Sequence, residues 1–312
     1  MDNDIAAFRD FEGYGGTPPN PKWPNNARLA VNFVVNVEEG SEPSVLDGDS
    51  NTETGLIETG GTAFPGRDLG AESMFEYGSR AGFWRILKLL QLHDAAATFF
   101  VCSQALARNP RIAHALREGT ASGLYDLCGH GARWERHQGM SVDIERAVIS
   151  TAYDTIEALT GTAPLGWYCR YAPTENTRRL VVEHGGYLYD SDAYNDDLPY
   201  WVACGDRQHL VVPYTQVTND AKFIRGSVAT SVDFERVLRD QFSVLYDEGE
   251  REPKMMTIGL HCRIAGHPFR AAAIGRFLKD IAKDPNVWLC RRSDIARHWI
   301  SQFPTRPKPI GL

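Results

Sequence analysis

Two adjacent glutamates, Glu38 and Glu39, close an apolar, β-branched run at residues 28–37 (RLAVNFVVNV). Two histidines, His130 and His261, stand directly after other apolar runs, and Cys169-Arg170 and the pair Asp190 and Asp192 hold the same kind of position. Carboxylates and imidazoles exchange protons readily, so such a set points to general acid–base chemistry. Taken singly, each has a plainer reading. Two glutamates after a strand describe a solvated turn, a histidine between glycines caps a turn, and His261 serves as a satisfied core histidine. Five strand ends that all turn polar carry more weight. In a parallel α/β barrel the carboxyl ends of the strands gather at one face, and catalytic groups collect there.

The elements that would position these residues are legible as alternating patterns. Strand-like runs at 97–102, 124–128, 165–169, 187–189, 209–213, 255–260 and 287–290 follow the first one. Between them, helical periodicity marks 79–93, 103–118, 141–159, 176–184, 232–247, 269–282 and 293–300. Ser79 reads as an N-cap and Gly185 as a C-cap. Residues 41–76 read as a polar, Gly-rich loop. Short strands alternating with helices predict a parallel sheet with helices outside it, in the α/β class. The expected organisation is an extended N-terminal arm at 1–27, a single barrel at 28–303 and an extended, Pro-rich tail at 304–312, with no internal repeat.

Composition narrows the partners. Of 312 residues, 33 are Lys or Arg and 40 are Asp or Glu, a formal net charge of -7 with the signs mixed along the chain. No basic run forms a footprint for nucleic acid or an anionic membrane. No apolar run reaches the ~18–20 residues of a membrane span. The polar N-terminus lacks a leader's apolar stretch, so the expected location is cytoplasmic. Cys102, Cys128, Cys169, Cys204, Cys262 and Cys290 form no C-x-x-C pair and are expected to be buried free thiols.

The segments 37–40 (VEEG), 97–101 (ATFFV), 130–134 (HGARW) and 260–261 (LH) resemble, in this order, the motifs of the polysaccharide deacetylase (NodB-like) family. Segments 13–19 (GYGGTPP), 64–68 (FPGRD), 77–84 (YGSRAGFW), 189–201 (YDSDAYNDDLPYW) and 259–263 (GLHCR) resemble its cofactor-independent allantoinase subgroup. The likeness runs from about Phe11 to Trp299. It implies a distorted (β/α)7 barrel, a homotetramer, and an amidohydrolase that opens the hydantoin ring of allantoin to allantoate without a cofactor.

The departure from the parent family is informative. Its metal-dependent members carry an Asp pair after the first strand and an H-x-x-x-H element after the third, from which the second Asp and both His bind a divalent metal. Here Glu38 and Glu39 replace the Asp pair, His130 matches the first His, and Trp134 stands where the second should be. Indole is no metal ligand, and Glu39 with His130 falls short of the three protein ligands an open catalytic site keeps. His137, seven residues past His130, is the remaining candidate for a third. Without a metal the chain lacks a Lewis acid and a source of hydroxide. A carboxylate base worth roughly 10²–10⁴ in rate and an oxyanion donor worth roughly 10²–10³ suit a strained cyclic amide better than an unactivated acetamide.

The roles expected are these. Glu39, or its neighbour Glu38, activates water. Adjacent strand residues point to opposite faces, so only one of them meets the pocket, and period-two alternation does not choose between them when both faces are buried. His130 orients the base or stabilises the oxyanion, and His261 protonates the leaving nitrogen. Arg133 or Arg170 holds the carbonyls of a small cyclic ureide, Asp192 or Asp197 orients a ring N–H or a histidine, and Trp134 packs on the flat heterocycle. Three other readings stand beside this one. The segment 166–179 (GWYCRYAPTENTRR) replaces the family's Arg-x-Pro motif, which leaves room for another cyclic amide or imide hydrolase. A metal-dependent N-deacetylase of a sugar and a catalytically dead, carbohydrate-binding barrel are the other two.

Overall fold

A computed structural model describes residues 9–59, 63–171 and 173–305. The first strand, β1 (Leu29–Val37), shows how the sequence builds the fold. All nine residues are buried, and they alternate. Leu29, Val31, Phe33, Val35 and Val37 join the largest apolar cluster. Asn32, Val34 and Asn36 point the other way, into the curl of the sheet, and Glu38 continues their phase. β-branched side chains suit a strand covered on both sides.

The remaining strands are β2 (Ala97–Val101), β3 (Tyr125–Gly129), β4 (Gly166–Trp167), β5 (Tyr189–Asp190), β6 (Tyr200–Cys204), β7 (Arg207–Val211), β8 (Lys254–His261) and β9 (Val287–Leu289). Their order across the sheet is β6-β7-β5-β4-β3-β2-β1-β8, with β9 paired to the start of β1. Every pairing is parallel except the β6–β7 hairpin. Among the described residues β6 and β8 do not pair, so the sheet is a curled half-barrel of the expected deacetylase type, in one domain.

Helices cover the outside: α1 (Leu69–Tyr77), α2 (Phe83–Leu92), α3 (Ser103–Arg108), α4 (Pro110–Ala121), α5 (Val142–Thr160), α6 (Thr177–His184), α7 (Ala221–Ile224), α8 (Ser231–Glu248), α9 (Cys262–Ala265), α10 (Pro268–Ile281) and α11 (Arg292–Gln302). The α5 boundaries follow from caps. The Ser141 side chain takes the N–H of Ile144, and Gly161 ends the helix in the left-handed region at φ 72. The helix expected at 103–118 is two helices, because the Asn109 side chain caps Ile112 and Pro110, lacking an N–H, opens α4. Ser79 is not an N-cap. α1 is capped eleven residues earlier, by Asp68, and passes through a wide π turn, Gly78–Gly82, into α2. The polar, Gly-rich composition of 41–76 hid that helix. β6 also went unread, since its residues sit at the end of a polar segment.

Inside the curl the side chains form three layers. The lowest surrounds Arg292, which donates to Asn32, Thr257 and Ser191. The middle is the cluster Val34, Phe100, Cys128, Tyr168 and Tyr214. The uppermost holds Glu38, His130 and His261. The arm is pinned where described: Trp23 is buried and its indole N–H donates to the Lys254 carbonyl at 2.9 Å. Residues 1–8 of the expected arm and 306–312 of the expected tail lie outside the described residues. All six cysteines are buried and free. No helix of the described residues is long and apolar enough to cross a membrane.

Candidate active site

The carboxyl ends of β1, β3 and β8 deliver Glu38, His130 and His261 to one narrow cavity. Asn36, Trp134, Tyr168, Arg170, Tyr171, Tyr214, Gln216 and Asn219 also line it. Glu38 is buried and holds three partners. Its Oε1 lies 3.1 Å from His130 Nε2 and 3.7 Å from His261 Nε2, and its Oε2 accepts from Arg263 Nη1 at 2.7 Å. His130 Nδ1 faces the Tyr168 carbonyl at 2.9 Å, and its ring stacks on that of Tyr168. A carbonyl only accepts, so Nδ1 carries the proton there and Nε2 meets the carboxylate.

His261 is held from behind. Its Nδ1 donates to Asp220 Oδ1 at 2.6 Å, and its backbone N–H donates to Asp220 Oδ2 at 2.7 Å. The same Oδ2 takes the N–H of Ala265 at 2.9 Å, so Asp220 ties His261 to the start of α9. Nε2 is thereby left facing the cavity and Glu38.

Electrostatics separate the two glutamates. Burial alone would raise the Glu38 carboxyl, but Arg263, then His261 and His130, outweigh it and hold it well below the ordinary carboxylate range. Burial raises Glu39, and the neighbouring Glu38 charge adds to this against the pull of Arg263. For His261, burial works to lower the pKa, but Asp220 and then Glu38 overcome it, and the net shift is upward.

Of the two glutamates, Glu38 lines the cavity. Glu39 turns behind the strand, where its Oε1 takes the backbone N–H of Arg263 at 3.1 Å beside Gly78. Arg170 and Trp134 are in the wall but engaged with each other. The guanidinium lies 3.6 Å from the indole centroid, donates to the Trp134 carbonyl, and pairs with Glu53 at 2.5 Å. Three expected substrate-binding residues do not reach the cavity. Arg133 is drawn into an ion pair with Asp49. Asp192 accepts the N–H of Cys169 at 2.8 Å, with a carboxyl raised by burial and by the Asp190 charge. Asp197 is exposed and lines a separate groove with Asn195 and Thr215.

Sequence reasoning missed Asp220, Arg263 and the amides Asn36, Asn219 and Gln216. Asn36 left a signal, since Asn32 and Asn36 are the polar positions of β1 and Glu38 is in phase with them. Arg263 stood within a segment already singled out but carried no assigned role. Asp220 follows no strand, and nothing local marks it.

The residues present do not fit a divalent cation. Arg263 Nη1 lies between the two carboxylates, 2.7 Å from Glu38 and 3.3 Å from Glu39, where a second cation would meet like charge. Trp134 offers no ligand atom. His137 is turned away into a buried contact with Glu145 at 3.1 Å. Among the described residues, no group of three or more His, Cys, Asp or Glu side chains is arranged to hold a metal ion.

The pattern of the polysaccharide deacetylase family matches residues 70–189. A protein of Schizosaccharomyces pombe (strain 972), provisionally named a polysaccharide deacetylase, is 40% identical over 319 residues, covering 95% of this chain and 98% of the relative. The crystal structure of PuuE allantoinase superposes with a TM-score of 0.90 at 46% identity, covering 96% of this chain and 99% of that one. A Pseudomonas aeruginosa PAO1 structure, provisionally named a polysaccharide deacetylase, does so with a TM-score of 0.90 at 45% identity, over 96% and 99%. Fold, site and relatives together define a hydrolase that acts on C–N bonds. The chain belongs to the polysaccharide deacetylase family.

Proposed function

We propose that this protein hydrolyses a cyclic amide, and that its substrate is allantoin, opened to allantoate by general acid–base catalysis without a metal. The observation that carries this reading is the guanidinium of Arg263 set between Glu38 and Glu39, beside a small cavity that contains two histidines. The cavity is narrow, and a carboxylate, two imidazoles, amides and phenols converge on it. The likeness to PuuE allantoinase supports allantoin among cyclic ureides.

In this reading Glu38 accepts a proton from water as the water oxygen bonds to the ring carbonyl. His261 gives its Nε2 proton to the ring nitrogen as the C–N bond breaks, and the ring opens to a carboxylic acid and a ureido N–H. His130 and Arg263 keep Glu38 aligned and ionised. A carboxylate held below its ordinary range stays ionised at neutral pH and is a weaker base for it. That favours a strained, already electrophilic ring carbonyl over an unactivated acetamide.

The test is allantoin turnover by protein stripped with a chelator and checked for residual metal. Turnover by the stripped protein is the expected result, with Glu38→Gln losing roughly 10²–10⁴-fold and Glu39→Gln far less. Activity that returns only with added Zn²⁺, Co²⁺ or Mn²⁺ would overturn the metal-free mechanism. No turnover under either condition would remove allantoin.

A further inference from the structure

Tyr214, on the chain that leaves β7, is one of the residues that line the cavity, and five per cent of it is exposed. Its Oη accepts two hydrogen bonds, from Asn36 Nδ2 and from Asn219 Nδ2, each at 3.2 Å. Neither amide is free to flip. Asn36 Nδ2 also donates to the Leu260 carbonyl at 3.0 Å. Asn219 Oδ1 accepts the backbone N–H of Ala221 at 2.9 Å, and its Nδ2 also faces the Thr215 carbonyl at 3.4 Å. A carbonyl cannot donate and an N–H cannot accept, so both amides present their NH₂ groups to the phenol.

A tyrosine hydroxyl has two lone pairs and one proton. Here both lone pairs are engaged, and the hydroxyl is left as a donor only. Among the described residues Tyr214 Oη donates to no protein acceptor. Accepting two hydrogen bonds polarises the O–H and strengthens it as a donor. Burial raises the phenol's pKa, so the proton stays in place at neutral pH. Gly259 leaves the space, since a Cβ there would overlap Tyr214 Oη and Asn219 Nδ2. Asn36 and Glu38 are two residues apart on one face of β1, about 6–7 Å along the strand. Asn36, Glu38 and Tyr214 line the same cavity, so the hydroxyl held by Asn36 belongs to the wall that also carries the Glu38 carboxylate.

We propose that Tyr214 is a catalytic hydrogen-bond donor, whose O–H takes the carbonyl oxygen under attack and stabilises the oxyanion formed as water adds. The inference rests on the proposed hydrolysis for its electrophile, a carbonyl group. It identifies a fixed neutral donor in this chain for the charge that a Lewis acid would otherwise neutralise.

Tyr214→Phe removes the hydroxyl alone and keeps the ring contacts with Phe100 and Tyr168. The expected result is a kcat roughly 10²–10³ lower, with KM within about threefold of the parent, in a protein whose circular dichroism and melting remain native. A kcat within about threefold of the parent, or a loss confined to KM, overturns the assignment. If Tyr214→Phe does not fold, Asn219→Ala keeps the hydroxyl but loosens its aim; about a tenfold loss in kcat is expected, and an unchanged kcat overturns the proposal. The parent is first assayed with allantoin, hydantoin, dihydrouracil and an N-acetylglucosamine oligomer. Turnover of the acetylated sugar alone overturns the cyclic-amide function, and Tyr214→Phe on that substrate still decides the donor role. No turnover of any of the four overturns both.

Discussion

His261 sits between two carboxylates, Asp220 at 2.6 Å on Nδ1 and Glu38 at 3.7 Å from Nε2. Its folded pKa is raised above the ordinary 6.5, so protonation persists beyond that pH and is lost as pH rises through the folded value. The stability this charge contributes follows the same course: fully present below 6.5, gone above the folded value. Glu38 behaves oppositely. Its depressed carboxyl contributes stability above the ordinary 4.5 that is lost as pH falls through the folded value. With His261 as the proton donor, the alkaline limb of kcat/KM lies above pH 6.5. Asp220→Asn removes the largest upward influence, so that limb is expected to move down by about one pH unit or more. A pH–rate profile with the limb unmoved would exclude His261 as the acid.

At the scale of elements, the site depends on how closely α9 approaches the wide turn between α1 and α2. α9 begins immediately after β8 and carries Arg263 back over the carboxylates. Gly82, on the wide turn, allows the approach: a Cβ there would overlap the carbonyl of Cys262. The conformation of Gly82 is ordinary helix, φ -65, so any residue could adopt it and the constraint is contact alone. Gly82→Ala is expected to destabilise the fold by about 1–3 kcal/mol, measured by urea unfolding. It should also lower turnover, because a shifted α9 displaces Arg263 from Glu38. Unchanged stability and activity would mean that the contact relaxes freely.

Across the whole molecule, the half-barrel is tied together from inside by a charge. Arg292 is completely buried and donates to Asn32 on β1, Thr257 on β8, Ser191 just past β5, and the carbonyls of Val212 and Pro213 after β7. Among the described residues it has no carboxylate partner. Burying a guanidinium costs several kcal/mol, but each acceptor left unmatched costs about 1–3 kcal/mol, and five acceptors meet here. The bonds outweigh the burial, so Arg292→Met is expected to destabilise by about 3 kcal/mol or more. Arg292→Lys, with three donors for the same acceptors, should also lose stability. A more stable Arg292→Met protein, judged by its melting temperature, would reverse that balance.

The sequence by itself determined the alternation of strands and helices, the parallel sheet, the family, and the arrival of Glu38, His130 and His261 at strand ends. These follow from local periodicity and from the rule that strand ends share one face. The split at Pro110 was equally local, and weighing proline's missing N–H would have found it. Only the tertiary structure decided which glutamate faces the cavity, because both faces of β1 are covered. It also took Arg133, Asp192 and Asp197 away from the site, through Asp49, the Cys169 amide and exposure to solvent respectively. Arg263 and Asp220 entered for the same reason. Arg263 meets carboxylates 225 and 224 positions earlier in the chain, and Asp220 meets a histidine 41 positions later. Contacts at such separations leave no periodic trace, and only the folded sheet brings these charges within reach of one another.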